Sequence, residues 1–246
     1  MLLLGPTCFA APLAEFGAEH IVSAQSIMQI VPPWMPARLF WAYFVGFALI
    51  AAALSIVFSR FVRLSSALLS VMFFLFVALL HLPAVIASPA DRIAWTVLIR
   101  DTGFAAGALA LSISAGNSWA PRWIPRLLVA VALFEFGVQY LLHPESAPGV
   151  PLTILTPAWV PLPKFWGYVG GIGLLACGVA MFLKSRARLA AAWAGGAMAF
   201  FTLFVYLPMF VLSTTQFTLG MNGVGDTLLF GAAAWLVAEA TPAIES

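Results

Sequence analysis

Charge is scarce in this chain. Only 8% of its 246 residues are Asp, Glu, Lys or Arg, against 63% that are apolar, and the mean hydropathy is +1.04. A water-soluble domain carries roughly a quarter charged residues. So few charges cannot cover a water-facing surface, which excludes an ordinary cytosolic enzyme, a disordered chain and a nucleic-acid binder with a basic face. Short strands of alternating polarity are missing too; the apolar runs are long and continuous, which argues against a transmembrane β-barrel. Cysteine is reduced to Cys8 and Cys177, far apart in apolar segments. That excludes a disulfide framework and a CxxC redox or metal pair. No P-loop, GxSxG or HExxH occurs, and the Gly171-x-Gly173 pair follows no strand and lies inside an apolar run, so it is no nucleotide fingerprint. The fold class left is all-α: a polytopic transmembrane helical bundle whose first partner is the lipid bilayer.

A spanning helix needs about 20 mostly apolar residues. Eight segments meet that length: Met1–Val22, Arg38–Phe58, Leu64–Ala87, Ile93–Ala115, Pro125–Leu142, Pro163–Leu183, Leu189–Leu212 and Val224–Ala240. The opening MLLLGPTCFAAPLA has a signal peptide's small residues but not its positive n-region, so a retained helix is expected. Lys and Arg gather in cytoplasmic loops. Arg60, Arg63, Arg122, Arg126, Lys184, Arg186 and Arg188 fall on one side of the eight spans, and Arg38, Arg92 and Lys164 on the other. The bias predicts an inner-membrane protein with both termini cytoplasmic. Tryptophan favours the headgroup level; Trp34, Trp41, Trp95, Trp159 and Trp166 mark the outer boundary, and Trp119, Trp123, Trp193 and Trp235 the inner one.

Shifted by 125 residues, the sequence matches itself. Trp34 meets Trp159, Pro36 meets Pro161, and Phe40, Trp41 and Tyr43 meet Phe165, Trp166 and Tyr168; Gly46, Arg63, Leu82-Pro83 and Asp101-Thr102 meet Gly171, Arg188, Leu207-Pro208 and Asp226-Thr227. Before the first long connection the offset is 120, where Glu15-Phe16-Gly17 meets Glu135-Phe136-Gly137, so the Pro144–Thr156 connection carries a five-residue insertion. The reading is two four-helix units, 1–116 and 117–246. Because four is even, they run parallel, unlike the inverted repeats of many transporters.

Each unit has an acidic-Phe-Gly first helix, a Pro- and Trp-rich loop (VPPWMP, TPAWVPLP), an aromatic Tyr-x-x-Gly second helix, a basic turn, and a third helix ending in His-Leu-Pro or Tyr-Leu-Pro. This pattern resembles the DoxX-like membrane proteins, a family of four-helix units, with FGAEH, VPPWMP and the YFVG helix of the first unit matching best. The resemblance implies the four-helix fold and a link to quinone chemistry, since the family's namesake belongs to a quinone-linked thiosulfate-oxidising system. Quinone is then the expected cofactor and a redox subunit the expected partner. The resemblance assigns no catalytic residue.

Ionisable groups at membrane depth are costly and normally paired or cavity-facing. By a rise of about 1.5 Å per residue, Glu19, His20, His81, Arg100 and Asp101 reach the outer half of the first bundle. They form a candidate ligand-binding cluster, with Arg100 as counter-charge, Asp101 and Glu19 as acceptors, and the two histidines as two-way hydrogen-bond groups. Glu15, Glu135 and Asp226 are candidate proton-relay acids. In the second unit Tyr140 and Tyr206 replace the histidines, Gln139 replaces Glu19 and Gly225 replaces Arg100. Helix-tying hydrogen bonds are one account of these groups; a ligand, quinone or proton site in the first unit is the other. A haem or metal centre on His20 and His81 has no third ligand beyond Glu19, and none is assigned. Pro83 and Pro208 are expected to free the Leu79 and Phe204 carbonyls, either widening the bundle or serving packing alone. Gly103-x-x-x-Gly107 and Gly167-x-x-x-Gly171 read as close helix contacts. The leading function is a non-catalytic, ligand-binding component of a membrane redox system. The alternatives are a proton- or solute-coupled transporter and a structural scaffold.

Overall fold

A computed structural model describes residues 4–212 and 217–242, with no account of the 217–219 side chains. Its helices are α1 (Leu4–Val22), a short α2 (Ala24–Ile27), α3 (Arg38–Val57), α4 (Val62–Phe76), α5 (Leu82–Ala87), α6 (Arg92–Ser114), α7 (Trp123–Leu142), α8 (Pro163–Phe182), α9 (Ala187–Phe201), α10 (Leu207–Leu212) and α11 (Phe217–Ala240). Among the described residues there is no strand beyond one isolated bridge between Ser146 and Leu155. The chain is a multi-pass helical membrane protein.

Seven of the eight expected spans are long and apolar enough to cross a membrane. The exception is α1. It forms a 19-residue helix, but Pro12, Glu15, Glu19 and His20 lower its apolarity below that of the other seven. It packs between α3 and α11, with Phe9 and Leu13 fully buried and Leu4 and Val22 exposed. Residues 1–3 of the expected first span lie outside the described residues.

The centre of the bundle is the α6–α11 pair. Each is 72% buried over its most apolar stretch, against 22–44% for the other spans. Their contact is built on small residues: a Cβ on Gly107 would fall 2.4 Å from that of Ala233. Phe136 of α7 meets Phe230 of α11 at the same core, centroids 4.9 Å apart. Around this pair, α1 packs on α3 and α7 on α8, each through glycines. A Cβ on Gly17 would lie 2.8 Å from the Gly46 carbonyl, and one on Gly137 would lie 2.8 Å from that of Gly171. The outward faces of α3, α4, α8 and α9 present Phe47, Leu68, Ile172 and Phe200. Exposed apolar side chains on spanning helices face lipid.

Local signals set the helix ends. Asp91 caps α6, its carboxylate accepting from the Ile93 and Ala94 N–H groups. Ala37 and Leu162, which precede α3 and α8, both adopt left-handed φ values, 51° and 52°. At one end of the bundle Arg63 donates to the Asn117 side chain (2.7 Å), which donates back to the Arg63 carbonyl. The two basic connections, 58–61 and 115–122, therefore meet. At the other end Arg92 donates to the Pro151 carbonyl (2.9 Å), tying the start of α6 to the long 143–162 connection.

The prolines act by changing the helix winding. Val77–His81 and Thr202–Tyr206 are π-helical, and the N–H groups of Leu82 and Leu207 reach back five residues to Val77 and Thr202. One extra residue per turn just before Pro83 and Pro208 shifts the ladder, so the carbonyls facing the missing donors are rearranged. The π segments are 125 residues apart, the offset of the sequence match.

Candidate functional site

A cavity of about 450 Å³ opens at the long-loop end between α1, α3, α4 and α6. Its volume falls in the roughly 300–1,000 Å³ range of small-molecule sites. Most of its wall is apolar: Val45 and Leu49 from α3, and Met72, Phe73 and Phe76 from α4. The π segment before Pro83 contributes Leu79, Leu80 and His81, so this winding borders the cavity rather than lying in plain packing.

All five candidate ligand residues, Glu19, His20, His81, Arg100 and Asp101, line this one cavity. Their pairing differs in part from the expectation. The Arg100 Nε donates to Asp101 Oδ1 at 2.8 Å, and Nη1 donates to Asp226 Oδ2 at 2.9 Å; Glu19 is not its partner. Asp226, expected among the proton-relay acids, thus belongs to the cluster and lines the cavity as well. A single guanidinium joins two buried carboxylates at matching positions of α6 and α11. It also lies over the Phe104 ring, 5.5 Å from the centroid.

The histidines are each held by one nitrogen. His81 Nε2 sits 2.8 Å from Asp101 Oδ2, and His20 Nδ1 sits 2.8 Å from the Phe16 carbonyl. Carboxylate and carbonyl oxygens only accept from a ring N–H, so both bonded nitrogens carry the proton. In the neutral rings this leaves His81 Nδ1 and His20 Nε2 as lone-pair acceptors. Neither has a further side-chain or backbone bond among the described residues.

The three proposed relay acids do not form one chain of groups. Glu15 packs beside Gly225, where a Cβ would fall 2.5 Å from Oε2, so the small residue replacing arginine leaves room for this carboxyl. Both Glu15 oxygens are buried without a hydrogen-bond partner. Glu135 accepts from Gln139 at 2.7 Å and does not line the cavity. An unpaired buried carboxyl is a net cost of about 1–3 kcal/mol. Glu15→Met is therefore expected to raise the thermal unfolding midpoint of the detergent-solubilised chain. A lowered midpoint would mean that Glu15 has a stabilising role its contacts do not reveal.

Asn222 was not singled out in the sequence. It lines the cavity, and its Oδ1 is buried without a partner. The signal was present: Asn222 lies four residues before Asp226, one turn along the same face of α11.

In the second half the matching positions are filled. Tyr140, at the position of His20, and Tyr206, at that of His81, both donate to one oxygen, the Ala147 carbonyl, at 2.6 and 3.2 Å. Residues 146–151 of the long connection are buried without interruption, whereas the first long connection, 28–37, contains no buried residue. Gly167 and Gly170 stand where Ala42 and Val45 line the first cavity. A Cβ on Gly167 would fall 2.1 Å from the Pro144 carbonyl, whereas one on Gly170 would have room, 3.5 Å from the Phe201 ring and 3.9 Å from Pro148. Gly167 thus admits loop backbone; of the GxxxG expected there, only Gly171 serves a helix contact. The half-buried Cys8 and Cys177 are free thiols remote from these groups. No His, Cys, Asp or Glu cluster suited to a metal ion occurs among the described residues. No family model matches the chain, and no curated protein or solved structure matches it.

Proposed function

We propose that this protein is a membrane-embedded binding component that holds one small hydrophobic ligand, of the quinone class, in the cavity between α1, α3, α4 and α6. The observation that carries this reading is the composition of that cavity. An apolar chamber of small-molecule size receives two histidines, each with one ring nitrogen unused, next to a fixed Arg–Asp pair. The two halves are read as diverged copies of a DoxX-like four-helix unit, with 1–116 keeping the site and 117–246 having lost it. The common 125-residue spacing of the π segments, the left-handed residues before α3 and α8, and the paired aspartates support that reading. Association with a redox subunit of the inner membrane, both termini cytoplasmic, follows from the same resemblance and from the basic bias of the connections. Coupled proton transport is the second reading. It is favoured by Glu15, which is buried and unpaired within electrostatic reach of Asp226.

Native mass spectrometry of the chain, gently extracted from its own membrane, tests the ligand reading. A bound small molecule is expected on the wild type and not on Val45→Trp, whose added ring fills the chamber from its lipid-side wall. An empty wild type, or a ligand retained at full occupancy by Val45→Trp, would overturn it.

A further inference from the structure

The second half contains a map of what the first half binds. Its two tyrosines converge on one oxygen, the Ala147 carbonyl. That oxygen is delivered by a connection five residues longer than its counterpart. The added length enters the bundle instead of looping outside it. Three contacts fix its position. Pro144 presses on Gly167, which stands where Ala42 lines the first cavity. Gly149, at φ +141°, packs against Thr227 and Tyr206 so tightly that a Cβ there would fall 2.7 Å from Thr227 Oγ1. Arg92 holds the far side of the loop through the Pro151 and Leu152 carbonyls. Ala147 and Ile154 then join Val205 and Tyr206 in a small core of their own.

We infer that the 144–156 connection is a built-in occupant of the second half, and that its Ala147 carbonyl stands where the ligand of the first half places a single polar oxygen between His20 and His81. This rests on the ligand-site reading above and specifies the head of the ligand. The two halves differ in the sense of the hydrogen bonds. Tyrosine hydroxyls donate, and so they suit a carbonyl. In the neutral form His20 and His81 each present a lone pair, and a hydroxyl gives its single proton to one of them, which a carbonyl or ether oxygen cannot do. The ligand is therefore an apolar molecule with a hydroxyl-bearing head, such as a hydroquinone or phenol, its tail running along the apolar wall of α3 and α4. A site whose acceptor takes a hydroxyl proton discriminates against an analogue that has none, because that acceptor is then left unpaired.

The test uses the 246-residue chain in lipid nanodiscs, titrated calorimetrically under reducing conditions with 2-decylhydroquinone and with its dimethyl ether. The two probes share a tail and ring and differ at the two oxygens, which carry protons in one and methyl groups in the other. One hydroquinone per chain is expected, bound at least 30-fold more tightly than the ether. One of His20→Phe and His81→Phe, the one that removes the acceptor of the hydroxyl proton, should weaken hydroquinone binding at least tenfold, while Tyr140→Phe leaves it within twofold; no loss from either histidine change would overturn the placement of the head between them. A melting measurement identifies any variant that fails to fold, and the comparison of the two probes on the wild type stands without the variants. Equal affinity for the two probes would overturn the hydroxyl inference while leaving the apolar site standing. Two hydroquinones per chain in the wild type would overturn the role of the loop as occupant. If neither probe binds, the ligand-site reading falls as well.

Discussion

Arg100→Met is expected to destabilise the bundle by about 3–5 kcal/mol, the range for removing one partner of a buried ion pair. The size follows from what is left behind. Arg100 is the one side chain bonded to both Asp101 and Asp226, and both carboxylates are buried in the central α6–α11 contact. Without the guanidinium, two like charges face each other in a medium that solvates neither, and His81 alone remains on Asp101. Asp226→Asn is milder, about 1–3 kcal/mol, because the Arg100–Asp101 bond survives. The double change Arg100→Met with Asp226→Asn should recover part of the loss. Adding Asp101→Asn should recover most of it, since charge left unpaired, rather than bonding energy lost, is the cause. Equilibrium unfolding of the four variants in mixed micelles measures this. A cost for Arg100→Met below about 1 kcal/mol would show that water reaches the cluster and that the cavity is wet rather than apolar.

The same cluster shows what the sequence could and could not convey. Helical rise along each span brings Glu19, His20, His81, Arg100 and Asp101 to one depth, and they share one cavity. Depth, however, says nothing about which face of a helix meets which neighbour. The partner of Arg100 is 126 residues away on α11, and no local pattern pairs them; only the symmetry of the sequence match places Asp226 opposite Asp101. Seven spans were legible because each is a long, continuous apolar run. α1 was legible in extent, and its polar residues leave it less apolar than the other seven. Pro83 and Pro208 announced a disturbed helix, yet the π winding that answers it depends on how the chain relaxes around a missing donor. The 144–156 connection was visible only as five extra residues. Length alone cannot tell a loop that wanders outside from one that folds in. The deciding residue, Gly167, looks in sequence like any small-residue helix contact.

Gly167→Ala is therefore the change expected to have the largest effect in the second half. The residue it introduces is the one the first half already carries at Ala42, so helix propensity favours it by up to about 1 kcal/mol. Overpacking opposes it. A Cβ 2.1 Å from the Pro144 carbonyl meets backbone, which cannot rotate away as a side-chain tip can. The strain, about 1–3 kcal/mol, is relieved if the loop withdraws. Withdrawal removes the Ala147 carbonyl from Tyr140 and Tyr206, both of which are otherwise fully buried. Two hydroxyls left without a partner in an apolar pocket add about 1–3 kcal/mol each. The loop and the tyrosines are thus one cooperative unit, released together. Hydrogen exchange measures this directly. Amides of 146–151 should lose protection in Gly167→Ala while those of α6 keep theirs. The vacated pocket should then admit a phenol or quinone whose oxygen accepts from the tyrosines, raising the binding stoichiometry from one to two. Full protection of the loop in Gly167→Ala would mean that α8 shifts instead, and that the 144–156 connection is a fixed part of the fold rather than an occupant of an ancestral site.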